Sequence, residues 1–457
     1  MILEYFQEIN NIPRNSWKEK WIRDFLISWA KKKKLEYKTD KKWNLVVYVP
    51  ATKGRDLDET IILQSHMDMV CVKRETSNHD FKKDSIEVLE KNGWYYAENT
   101  TLWADNGIGM AMMMASASLD NHPDLELLFT VEEETWLWGA LALNKKMLYW
   151  KKIINLDTED EWEICISSAG WARVEIKGEY DVDEPTLDQY KIQIAWMKWG
   201  HSGVEIDQNR WNAIFLIAEF LSTVDLNYEL VSIKGGVADN VIPSEAKFVV
   251  WLDYAWLFKS KLTDFVDKYK SEHDCPNLTF EMIETWTKEP VSPFYIVQPV
   301  KLIADWVYTM SDKIEWLVQT SVNLWTLNIA RWSIKGVYLP RSSVESELEK
   351  TISDIEKCYK RYSISTKVKS RYPWWQDSPD SDLVKLISPI MKKILKKKPK
   401  ILAYHAGLEC GALVEKLGEW VHAVSIWPTI KGAHSVEEKC KISSVDKYWK
   451  ILSLILK

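Results

Sequence analysis

LELLFTVEEET, residues 125–135, carries the reading of the fold. Apart from Glu126, the stretch from Leu125 to Val131 is apolar enough to be covered on both faces, as in a strand of a largely parallel sheet. Three carboxylates follow at once: Glu132, Glu133 and Glu134. Neighbouring carboxylates repel one another unless a cation or solvent screens them. On an exposed loop such a run is unremarkable; directly after a buried strand it marks the carboxyl end of a sheet, where open α/β sheets bind ligands.

The same pattern recurs on either side. NLVVYV (44–49), TIILQ (60–64) and KIINL (152–156) are short apolar runs, and residues 107–119 have helical character. Strands separated by a helix favour an α/β layer. QSHMDM (64–69) places His66 at a strand end, and NLDTED (155–160) does the same for Asp157. His66 and Asp68 share one face of an extended segment, so Asp68 can accept a hydrogen bond from the second ring nitrogen of His66 and fix its tautomer. Asp105, in ADNGIG (104–109), immediately precedes a helix start, where an aspartate serves equally as an N-cap. His434, in KGAHS (431–435), completes a set of nitrogen and oxygen donors without cysteine, which suits zinc and also manganese or cobalt.

A chain of 457 residues exceeds what one core supports, so at least two domains are expected. The acidic, proline-bearing stretch at 181–185 and YPWWQDSP (372–379) read as linkers. Between them, KFVVWL (247–252) is strand-like and 211–221 helix-like, and α/β character resumes with a helix near 382–397. The expectation is therefore an α/β domain, 1–181 and 377–457, with an α+β domain, 182–376, inserted into it.

Formal net charge is −6, which gives no broad positive field for a phosphate backbone, so nucleic acid is not an expected partner. The lysine runs 31–34 and 396–398 read as solvated helix ends. The N-terminus has no basic segment leading into an apolar run, and no stretch is apolar for ~18 residues, so a cytoplasmic protein without membrane contact is expected. Six scattered cysteines without C-x-x-C spacing are expected to be reduced.

In order, HMDM, ADNGIG, EEET, NLDTED, GHSG, HAGLECG and GAHS resemble the motifs of the di-zinc M20 peptidases related to bacterial aminoacyl-histidine dipeptidase, or cytosol non-specific dipeptidase. The resemblance runs over nearly the whole chain. It implies a two-domain di-zinc peptidase fold, a catalytic α/β domain with an inserted α+β lid domain, and Asp105 bridging two metals, one also bound by His66 and Asp157 and the other by Glu134 and His434. It implies Glu133 as general base, Asp68 as the residue orienting His66, and His201 as the donor to the tetrahedral oxyanion. Asn240, Arg341 and Glu409 become candidates for holding the substrate, Arg341 at its carboxylate and Glu409 at its amino group. Two Zn2+ per subunit, with Co2+ or Mn2+ as substitutes, a dipeptide substrate (Xaa-His and β-alanyl-His included) and a homodimer follow from the same resemblance. Aminoacylases and deacetylases share the metal framework and form the alternative.

One departure from the family pattern is systematic. Where its motifs have glycine, this chain has Trp103, Trp136, Trp171, Trp196, Trp199, Trp211 and Trp427, and Ser65 precedes His66. There are 26 tryptophans and 16 glycines, whereas average usage would give roughly 32 glycines in a chain of this length. Tryptophan cannot take glycine's positive φ without strain, so local strain or a catalytically impaired binding protein is a further expectation.

Overall fold

A computed structural model describes residues 1–457 except 159, 196–199, 204, 209, 237–240, 274, 286–288, 304–305, 313, 315 and 419; the side chains of 188, 189 and 201 are also outside the description. The chain divides into two compact units. The first comprises Met1–Ser168, Trp375–Ala403 and Leu408–Lys457; the second comprises Ala169–Trp374 with Tyr404–Gly407. The breaks expected after 181 and 376 therefore fall after 168 and 374. The reason is strand pairing: Gly170–Glu179 lies between Ser333–Ser342 and Ser365–Tyr372 in the second unit's sheet. The acidic stretch at 181–185 is thus inside that unit, where Asp183 bridges Val291. Trp375–Gln376 instead pairs with Ser167 and Ser168 of the first unit.

In the first unit the sheet runs Glu36–Thr39, Leu45–Val49, Leu125–Thr130, Ile61–His66, Lys152–Asn155, His422–Ser425, Glu163–Ser168 and Trp375–Gln376. The four central strands, from Leu125–Thr130 to His422–Ser425, are parallel and their outer neighbours antiparallel. Register sets His66 opposite Thr130 and Gln64 opposite Asn155, so the chain leaves this part of the sheet from neighbouring strand ends. Helix Asp382–Leu395 is capped by Ser381, whose hydroxyl accepts from Val384 N, and buries Leu383, Val384, Ile387, Met391 and Leu395 on one face. Each fully buried side chain of this kind contributes about 1.5–3 kcal/mol. The helix stops short of the expected 397 because Lys396 turns left-handed, at φ 60°.

The second unit is an antiparallel sheet in the order Thr279–Glu284, Asp188–Ala195, Ala246–Leu252, Tyr228–Gly235, Val318–Ala330, Ser333–Ser342, Gly170–Glu179 and Ser365–Tyr372. Helices Ala213–Thr223, Ala255–His273 and Glu345–Lys360 supply Ile217, Leu262 and Ile352 to its apolar core. No helix among the described residues is long and apolar enough to cross a membrane. The six cysteines form no disulfide; Cys71 is half-buried and the others are buried.

Among the described residues six tryptophans adopt left-handed backbone: Trp17 (φ 69°), Trp43 (78°), Trp103 (67°), Trp136 (94°), Trp316 (65°) and Trp420 (69°). The strain expected at Trp171, Trp211 and Trp427 is not of this kind, since none of them has positive φ. Trp171 stacks on Tyr372 and Trp211 on Trp306. Trp196 and Trp199 lie outside the described residues. Trp43 sits in the connection between strands Glu36–Thr39 and Leu45–Val49, where Asp40 Oδ1 accepts from Lys42 N and Asn44 N. That is the left-handed position a three-to-five-residue hairpin loop reserves for glycine.

Left-handed backbone costs an ordinary L-residue about 1–2 kcal/mol. Trp420 is 80% exposed and has little buried surface to lose, so Trp420→Gly is expected to raise stability by about 1 kcal/mol. Trp43→Gly should gain less, because the Arg23 guanidinium lies 4.4 Å from its ring centre. Denaturant unfolding of both variants checks this; a loss in both would show that these positions are comfortable with tryptophan.

Candidate metal centre

The ends of the parallel strands in the first unit gather the candidate ligands. His66 is the last residue of its strand; its Nε2 lies 3.0 Å from Asp105 Oδ1 and 3.5 Å from Asp157 Oδ1. His434 Nε2 lies 3.2 Å from Asp105 Oδ2 and 3.0 Å from Glu134 Oε2. Two sets, His66 with Asp105 and Asp157, and Asp105 with Glu134 and His434, each bring their donor atoms within 4.8 Å of one another. A third set joins His66, Glu133 and Glu134. Asp105 is common to the first two sets and offers a different oxygen to each histidine.

Asp105 is not an N-cap. Its own φ/ψ of −83°/108° is non-helical, it stands inside a kink at the start of helix Ala104–Ser116, and the Asp105–Asn106 peptide is cis. Its side chain faces both histidines. Asn106 donates from Nδ2 to Asp157 Oδ1 (2.6 Å) and Leu156 O (2.7 Å), and accepts from Ser65 Oγ (2.8 Å). Ser65 thus joins strand Ile61–His66 to the Asp105 loop.

Asp68 stands against both the histidine and the glutamate loop. His66 Nδ1 lies 3.1 Å from the Asp68 backbone carbonyl, nearer than the 3.5 Å to its carboxylate. The carboxylate accepts from Glu133 N (3.0 Å), Glu134 N (3.2 Å) and Ser16 Oγ (2.8 Å). It therefore shapes the glutamate loop as well as standing beside the histidine. Glu132 turns aside, at φ 54°, and pairs with Lys42 at 2.6 Å. Gly139 lets helix Trp138–Ala142 approach this loop: a Cβ there would stand 2.0 Å from Val131 O.

Carboxylates outnumber imidazoles in this cluster, and the protonation energetics show it. Burial opposes charge on His66, but Asp157, Asp105 and Asp68 hold its pKa well above the usual value. Burial likewise opposes charge on His434, yet Glu134 and Asp105 raise it to about 12. Asp105 stays below the ordinary carboxylate range: burial pushes upward, and its bonds to both histidines overcome it. Burial, with Glu134, Asp157 and Glu409 adding, drives Glu133 well above the usual range. Asp157 rises to about 6, mainly by burial. The cluster calls for positive charge. Glu134 Oε1, moreover, is buried with no hydrogen-bond partner, so the donor set fits hard or borderline divalent cations.

Glu409 is fully buried at the start of helix Glu409–Leu417. Its Oε2 accepts from Gln64 Nε2 (2.5 Å) and Thr130 Oγ1 (2.8 Å), and burial lifts its pKa to about 8. Arg341 is buried in strand Ser333–Ser342 of the second unit, opposite Ser321, with its pKa lowered to about 10 by desolvation. His201 closes the short strand Gly200–His201, which pairs with Val241–Ile242 in the same unit. Asn240 falls outside the described residues. Sequence reasoning missed Arg14, whose Nη1 donates to Met67 O (3.0 Å) and Asp68 O (2.9 Å) and whose Nη2 donates to Trp103 O (2.6 Å). A lone arginine bonded to carbonyls far along the chain leaves no local pattern.

Residues 62–457 match the sequence model of peptidase family M20/M25/M40. The chain belongs to this family. It is therefore a peptidase, a hydrolase. Among M20 relatives it is 31% identical over 470 aligned residues to cytosol non-specific dipeptidase of Escherichia coli (strain K12), covering 99% of this chain and 96% of that protein. The crystal structure of aminoacylhistidine dipeptidase from Vibrio alginolyticus superposes with TM-score 0.87 at 28% identity, over 100% of this chain and 96% of that one. Aminopeptidase PepT from Bacillus cereus, at 16% identity and TM-score 0.58 over 100% and 97% of the two chains, shares the fold. The resemblance read from the motifs is thus shown at the level of the family and its mixed α/β fold.

Asp68→Asn keeps the shape of the side chain but can set an N–H against the amides of Glu133 and Glu134. Loss of such a supporting partner is typically worth about 10–100-fold in metal affinity or activity. The variant is expected to fall in that range, and metal titration with turnover assays on the purified protein checks it. Parental values in both would show that Asp68 is dispensable to the loop.

Proposed function

We propose that this protein is a dipeptidase that hydrolyses Xaa-Xaa substrates, Xaa-His and β-alanyl-His among them, with two zinc ions held in the first unit. The observation that carries the proposal is the pair of donor sets sharing Asp105. One ion is assigned to His66, Asp157 and Asp105, the other to Glu134, His434 and Asp105; Co2+ or Mn2+ suits the same donors. When bound there, two such cations would lower the pKa of a water toward ~7 and polarise a carbonyl.

The chain's own residues do the rest. Glu133, adjoining the donor sets and already inclined to hold a proton, takes one from the attacking water and delivers it to the leaving amine. Asp68 holds the Glu133 backbone in place. Glu409 is assigned to the substrate's amino group on the motif that contains it, and Arg341 suits the substrate's free carboxylate by bidentate pairing. Asn240 is assigned a share in binding, and His201 the donor role at the oxyanion, both on the motifs that contain them. A cytoplasmic homodimer completes the proposal, on the resemblance to the dipeptidases. The alternative of an impaired binding protein draws on Trp103 and Trp136, left-handed tryptophans close in sequence to Asp105 and Glu134. Dipeptide turnover by the zinc-loaded protein separates the two.

Glu133→Gln is expected to retain zinc while losing most turnover, since an amide cannot accept the proton; Glu134→Gln is expected to lose zinc. Equal zinc and equal activity in both would contradict the division of roles. His201→Ala should lower kcat by about 10²–10³, the typical worth of an oxyanion donor, at near-parental zinc content. Loss of zinc would make His201 a ligand, and an unchanged kcat would leave it structural.

A further inference from the structure

We infer that Glu438 is a positioning residue that sets Asp105 against both histidines. Its side chain is 3% exposed, and both carboxylate oxygens are spent on consecutive backbone amides. Oε2 accepts from Leu102 N (2.8 Å) and Trp103 N (3.2 Å); Oε1 accepts from Ala104 N (2.9 Å) and Asp105 N (3.3 Å). A run of N–H groups converging on one point is an anion-binding nest. Here the anion is the protein's own, and the last amide of the nest belongs to Asp105.

The carboxylate also ties two loops together. His434 is four residues before Glu438 and left-handed, at φ 61°. The turn between them is closed by Ser435 N to Gly432 O (3.2 Å) and Glu438 N to Ser435 O (3.1 Å). From the other side, Arg14 joins Trp103 O to Met67 O and Asp68 O, beside His66. The 102–105 loop is therefore held by an anion on its amides and a cation on a carbonyl. Through Glu438 the position of Asp105 is fixed relative to His434; through Arg14 it is fixed relative to His66. The inference rests on Asp105 being the shared metal ligand.

Glu438→Gln is nearly isosteric, but one oxygen serves two amides at most while the new NH2 faces two further donors. Zinc affinity is expected to fall about 10–100-fold, as when a ligand loses its supporting partner. At saturating zinc kcat is expected to fall while KM stays near the parental value. Glu161→Gln is the control for loss of a buried carboxylate: Glu161 accepts from Lys441 (2.8 Å) and Lys447 (3.2 Å) and touches no proposed ligand. It should lower Tm while leaving zinc affinity unchanged. Parental zinc affinity and kcat in Glu438→Gln, with only Tm reduced, would overturn the positioning role. Asp105→Ala tests the underlying assignment separately: retention of two zinc ions there would remove the shared ligand, whatever Glu438→Gln does.

A second inference rests on different evidence. The six left-handed tryptophans occur in both units, in hairpin, loop and helix-start settings. Trp17, Trp43, Trp316 and Trp420 are more than half exposed, so no burial of the ring accounts for the backbone. Trp103 is buried, but its indole N–H has no partner there, unlike most buried tryptophans. Glycine adopts this backbone without penalty, and glycine is the residue in short supply. UGA is a codon read as tryptophan under some genetic codes and as glycine under others. We infer that UGA specifies these six positions and that the cell producing this protein inserts glycine at them. Tandem mass spectrometry of peptides spanning 17, 43, 103, 136, 316 and 420, from protein isolated from its own source, is expected to find glycine. Tryptophan there, or UGG codons at these positions in the gene, would overturn the inference.

Discussion

The two oxygens of Asp105, 3.0 Å from one histidine and 3.2 Å from another, are the contact on which the site depends. No other candidate belongs to both donor sets. The carboxylate reaches this position because Trp103, Asp105 and Asn106 abandon regular helix geometry just before a buried helix continues. It meets His66 because the parallel strands of the first unit end together. The sheet supplies a common edge, and the loops beyond it supply the chemistry.

Such a cluster is unfavourable by itself. Burial resists charge on each carboxylate, and Glu133, Asp157 and Glu409 respond by holding protons more tightly. What keeps the groups in place is a surrounding layer of ions, each held by several hydrogen bonds. Arg14 has three carbonyls, Glu438 four amides, and Asp68 two amides and a hydroxyl. A buried ion is tolerated when its hydrogen-bonding capacity is met. The ligand groups retain unused capacity, as at Glu134 Oε1, and so remain available to cations.

The parallel strands were legible because apolar runs such as LELLFTV have few alternatives to a covered strand. The donors after them were legible because acidic residues and histidines at strand ends are costly without purpose. The first domain boundary was misplaced because the strand Gly170–Glu179 precedes the acidic stretch chosen as a linker, and only its pairing partners, over a hundred residues away, reveal its unit. Arg14 and Glu438 escaped for a related reason: they bond to backbone atoms, and backbone atoms carry no sequence signal. Asp105 read as a possible cap because a helix does start there; its departure from helical φ/ψ depends on the Glu438 nest and the Trp103 turn.

The most direct test of the two-ion centre is titration of the metal-free protein with zinc while dipeptide hydrolysis is followed. The account predicts that turnover continues to rise until two equivalents per chain are bound. Both equivalents should be lost together when Asp105 is removed. Full activity at one equivalent, or turnover indifferent to zinc and to chelation, would contradict it.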